Sequence, residues 1–72
     1  MALNEMTNDV TMTSRDPEPP MGTIVRDARG RRWHRFDDET NAWIQLDDDD
    51  DVESWIRVAG NYGPVTVVGF DL

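Results

Sequence analysis

Apolar residues are sparse and unpatterned up to position 21 and periodic beyond it. Residues 1–21 (MALNEMTNDVTMTSRDPEPPM) show neither the 3.6-residue nor the 2-residue repeat. They close on Pro17-Glu18-Pro19-Pro20, a run that favours extended polyproline geometry and makes a stiff lead into a domain. The stretch reads as a flexible N-terminal arm, ordered by a partner if at all. Residues 22–72 read as one compact β-rich domain.

Thr23-Ile24-Val25-Arg26 is β-branched and predicts a strand. Asp27-Ala28-Arg29-Gly30 has the chemistry of a tight hairpin loop. Asp can bond its own backbone there, and Gly30 supplies a left-handed residue. Arg31–Phe36 is the returning strand; pairing Asp27 with Arg31 sets Val25 opposite Trp33 and Ile24 opposite His34. A second turn at residues 37–41 leads to a third strand over Ala42–Leu46, completing an antiparallel meander.

After the aspartate run the period changes. Val52, Trp55, Ile56 and Ala59 fall at i, i+3, i+4 and i+7, the apolar stripe of a helix. Asp50 or Asp51 would cap it, and Glu53 stands where a capping box needs it. Gly63, or Gly60 before it, would end the helix, and Pro64 forbids continuation. Val65–Phe70 predicts a last strand. The expected fold class is α+β, a three-stranded meander followed by one helix and a final strand (β-β-β-α-β).

Seventy-two residues allow one small domain with a marginal core, in which Trp33, Trp43 and Trp55 must carry much of the burial. Cysteine is absent, which excludes disulfides and thiolate metal sites. No apolar run approaches the ~20 residues of a membrane span, and the start lacks a signal-peptide layout. The expectation is a protein of the host cytoplasm, or alternatively of a virion, with no membrane contact. The net charge of −8 argues against direct nucleic-acid binding, which rests on clustered cations.

The chemistry-bearing residues predict no enzyme. His34 is the single histidine, set mid-strand between Trp33 and Arg35, and no partner group is spaced to orient it. The glycines are scattered at turns, so no phosphate-cradling loop exists. Asp47, Asp48, Asp49 and Asp50, with Asp51 and Glu53, form the densest charge cluster. A calcium loop needs alternating ligands and a glycine where Val52 stands, so the run is read without metal, as a solvated loop at a helix start or an acidic docking patch. No cofactor is expected. Five of the seven arginines, Arg26, Arg29, Arg31, Arg32 and Arg35, gather on the first hairpin. Arg29, Arg31, Arg32 and Arg35, with Asp47–Asp50, are therefore the candidate partner-binding residues. The segregation favours a protein partner and makes self-association a possibility.

The run Pro20-Met21-Gly22-Thr23-Ile24-Val25-Arg26-Asp27, with Gly30 and Trp33 at fixed offsets, Trp43 ten residues on, and a Trp55 segment leading into Tyr62-Gly63-Pro64-Val65-Thr66-Val67, resembles small uncharacterised proteins of actinobacteria and their phages, of mycobacteriophage type. The likeness spans about two thirds of the chain and rests on turn and core residues. It implies phage or prophage origin and no known catalysis. The aspartate run and the long arm depart from it. The expected function is a non-enzymatic, small acidic protein-binding module that modulates or occupies a host or phage protein. The alternatives are a structural virion component (decoration or tail-associated) or, with less support, an acidic DNA mimic, which the arginine-rich hairpin argues against.

Overall fold

The computed structural model describes residues 10–71, with the backbone alone at 48–50. Its first hairpin forms as the turn residues dictate. Strands β2 (Thr23–Arg26) and β3 (Arg32–Arg35) pair antiparallel, with Val25 opposite Trp33 and Ile24 opposite His34. Asp27 N–H donates to the Arg31 carbonyl at 2.8 Å, and Gly30 takes a φ of +88°, where a side chain is strained.

The Asp27 carboxylate fills this turn. Its Oδ1 accepts the backbone N–H groups of Arg29 and Arg31, both at 2.9 Å. Its Oδ2 accepts Arg31 Nε and Trp33 Nε1, also at 2.9 Å. The spacing Asp-x-x-Gly-x-x-Trp thus joins three needs: an acceptor inside the loop, a left-handed residue to close it, and an indole donor needing a partner when buried.

Strand β4 (Trp43–Gln45) adds to β3, and β5 (Asp48–Glu53) adds to β4. Strand β6 (Val65–Phe70) pairs with β2 on the side away from β3, and the two-residue β1 (Thr11–Met12) flanks β6. The result is a six-stranded antiparallel sheet in the order β1-β6-β2-β3-β4-β5.

This architecture corrects the expected β-β-β-α-β fold. The aspartates and Val52 are not the start of a helix; they are β5, with Val52 paired to Ile44 and Glu53 to Trp43. All that remains of the helix is a single wide turn, Ile56–Asn61, in which Tyr62 N–H donates to the Arg57 carbonyl five residues back at 3.1 Å. Length explains the difference. Between Glu53 and Pro64 too few residues remain for a helix to hold itself, and Gly60 weakens the interior further. A Cβ on Gly63 would collide with the Ala59 carbonyl, so glycine permits the close return of the chain into β6. The buried face also differs from the expected stripe: Trp55, Val58 and Ala59 point inward, while Ile56 is 69% exposed.

One face of the sheet builds the core from Val25, Trp33, Trp43 and Val65, closed by Trp55, Val58 and Ala59 from the wide turn. Trp43 packs against Trp55 with ring centroids 5.3 Å apart, and Trp33 stacks on Tyr62 at 5.7 Å. The part of the N-terminal stretch from Val10 to Pro20 lies against this side. Trp43 Nε1 donates to Glu18 Oε2 at 2.7 Å, Trp55 Nε1 donates to the Asp16 carbonyl at 3.1 Å, and Arg35 donates to the Pro19 carbonyl at 2.7 Å. Each of the three indoles therefore has an acceptor, two of them supplied by the arm.

Candidate functional surfaces

Directly opposed residues in an antiparallel sheet share a face. The register therefore sets Gly69, Ile24, His34, Ile44 and Val52 in one row across β6, β2, β3, β4 and β5. This row lies on the face opposite the tryptophans. Ile24 folds over Gly69, its side-chain carbons in ordinary contact with where a Cβ would stand. Ile24, His34 and Ile44 are half-buried, and Val52 is exposed. The wide turn and the arm both pack on the other side, leaving this face bare among the described residues.

The two flanks of the row, along the strand direction, differ. Toward the first hairpin, Arg26 and Arg32 stand opposite one another and both are exposed. On the other flank a groove of about 290 Å³ is lined by Met21, His34, Phe36 and Asp71. His34 Nε2 meets the Asp71 carbonyl there at 3.0 Å, while Met21 and Phe36 are exposed at its rim. A second hollow, of about 420 Å³, opens on the core side between the arm, the 37–41 turn and the wide turn. Glu18, Asp38 and Glu39 line it together with Trp55.

The residues marked from sequence as partner-binding separate into different roles. Arg31 is bound up with structure: it pairs with Asp27 at 2.9 Å and lays its guanidinium 4.5 Å from the Tyr62 ring centre. Arg35 is largely enclosed, paired with Glu18 at 3.3 Å. Arg29 and Arg32 are exposed, and Arg32 meets Asp47 at 3.2 Å with both side chains more than half accessible. Such a pair contributes little and exchanges readily with another partner. The side chains of Asp48, Asp49 and Asp50 lie outside the described residues. The backbone places them on the edge strand, where the register slips between Ile44 and Gln45 and Gln45 donates to Asp51 at 3.1 Å.

Asp27 is 5% exposed. Burial alone would raise its pKa. The Trp33 indole, the Arg31 and Arg29 backbone N–H groups and the Arg31 charge outweigh that and hold it below the ordinary 3.8. The four groups that donate to it all belong to the hairpin, so the turn itself accounts for the perturbation. Among the described residues, no three of histidine, aspartate and glutamate converge to hold a metal ion, and no helix is long and apolar enough to cross a membrane.

The row is hidden in the sequence because the helical spacing claims Val52, which the sheet pairs with Ile44. The Ile24–His34 pairing already implied half of it. In comparisons with known proteins, no family model, curated protein or solved structure matches the chain.

Proposed function

We propose that this chain is a non-enzymatic protein-binding module of phage or prophage origin, which docks on a host or phage protein through the bare face of its sheet. The observation that carries the reading is the row Ile24–His34–Ile44–Val52. It is a band, apolar at three of its four positions, that crosses four strands of a sheet whose whole core lies on the other side. A sheet buries its apolar residues against another layer, and a band left without one is the usual mark of an interaction surface. The phage origin rests on the likeness of the Pro20–Trp33 run, Trp43 and the Trp55–Val67 segment alone.

Site-specific photocrosslinking tests the docking surface. A benzophenone amino acid at position 44 is expected to form discrete adducts in lysate of the native cells, and excess wild-type protein should suppress them. The same group at position 56, exposed but on the opposite side, should form none that can be competed. Absence of any competable adduct at position 44 overturns the reading, and an adduct with a particle protein would put the module in the virion.

A further inference from the structure

We propose that the first occupant of the bare sheet face is a second copy of this chain, packed face to face across a two-fold axis that passes near His34. This deepens the docking reading above and rests on it. Three observations single out a like copy. The face carries its own complement: Arg26 and Arg32 flank the row on one side along the strands, and Asp71 lines the groove on the other. A two-fold axis lying along the row, between the two sheets, brings the arginine flank of each copy onto the Asp71 flank of its partner and lays row on row. Isologous contacts of this kind require a self-complementary patch, and this patch is one.

The second observation concerns the edges. Strand β5 presents consecutive aspartates along its length, and β1 pairs through two residues. Charged and very short edge strands are the usual means of blocking edge-to-edge pairing. Association through the face is what remains. The third is scale. Five strands at ~4.8 Å spacing make the row ~19 Å long, and from Arg32 to Phe36 the face extends ~13 Å along the strands. A footprint of that size, ~250 Å² per copy, is below that of a standard stable interface, which fits a weak, reversible dimer populated only toward millimolar concentration. The Arg32–Asp47 pair does not stand in the way, because both groups are exposed and Arg32 can turn to a new carboxylate.

Sedimentation equilibrium on the full chain tests this. Wild type should show a monomer–dimer equilibrium, and Ile44→Asp should weaken it by roughly a hundredfold while the variant still melts in a cooperative transition, since buried unpaired charge at an interface costs heavily. Two charge reversals make the test specific. Asp71→Arg alone, and Arg26→Asp with Arg32→Asp, should each weaken the dimer by about tenfold or more. An equimolar mixture of the two should recover dimer, because both contact sites of the mixed pair then carry opposite charges. A monomer up to millimolar concentration overturns the proposal, as does a dimer indifferent to Ile44→Asp, or a mixture that recovers nothing. Competable crosslinks at position 44 to a different protein, alongside a monomer in sedimentation, would leave the docking reading standing and remove the second copy.

Discussion

Replacing Asp27 by Asn tests the hairpin on which the sheet is built. The change keeps the size of the side chain and removes its charge. Each carboxylate oxygen of Asp27 accepts two donors, the backbone N–H groups of Arg29 and Arg31 at one and Trp33 Nε1 with Arg31 Nε at the other. The amide supplies a single acceptor oxygen, and its NH₂ must then face two donors. If the oxygen keeps the backbone pair, the Trp33 indole is stranded in the core and Arg31 loses its carboxylate. A buried donor left unsatisfied costs ~1–3 kcal/mol, and the Arg31 loss is discounted because that side chain is 27% accessible. The expected total is ~2–4 kcal/mol, which at ~4–8 °C per kcal/mol for a domain of this size lowers Tm by roughly 10–25 °C. Thermal melting followed by near-UV circular dichroism, which reports the tryptophan environment, measures it at neutral pH.

The same residue makes a pH signature. The folded-state pKa of Asp27 lies below its ordinary 3.8, so the unfolded chain takes up its proton first as pH falls. The stabilisation is complete above the unfolded value and is lost as pH drops through the folded one. The Asn variant should lack this component, giving a shallower fall in Tm at pH below ~4 than the wild type shows. A variant melting within a few degrees of wild type at neutral pH, with the same acid slope, would refute the account of the turn.

Other predictions separate the observed fold from the expected one. Val58→Ala should cost ~2 kcal/mol in urea denaturation, whereas Ile56→Ala should fall within ~0.5 kcal/mol, because Val58 is fully buried and Ile56 is not; the reverse order would restore the helical stripe. Glu18→Ala removes the acceptor of the Trp43 indole and the partner of Arg35, and should cost ~1–3 kcal/mol; an unchanged urea midpoint would mean the arm contributes nothing to the fold. Gly30→Ala places a side chain at a φ of +88° and should cost ~1–2 kcal/mol, with Gly30→Asn costing less in the same assay.

The parts of this fold legible in the sequence were those fixed by local chemistry. Asp27 and Gly30 defined the hairpin and its register, and β-branched runs marked β2 and β6. Two features depended on distant contacts and were not legible. Val52-x-x-Trp55-Ile56-x-x-Ala59 matches a helical period, but Val52 answers to Ile44 across the sheet while Trp55 answers to Trp43, so the spacing joined residues from two different elements. The aspartates, poor β-formers by composition, become a strand because β4 offers them an edge. On the surface, clustering of Arg29, Arg31, Arg32 and Arg35 along the chain suggested one basic patch. The pleat divides it, turning Arg35 toward the core side and Arg32 toward the bare face, while Asp27 takes Arg31 for the turn.

The chain contains three isoleucines, and their positions make them reporters of the docking face. Ile24 and Ile44 lie in the apolar row, and Ile56 is exposed on the opposite side. Methyl NMR of isoleucine-labelled protein across a dilution series measures all three at once. Progressive, saturable shifts of the Ile24 and Ile44 signals with concentration, and a stationary Ile56 signal, are the result predicted here. Shifts confined to Ile56, or three signals independent of concentration up to the millimolar range, would contradict a face-to-face pairing of the sheets.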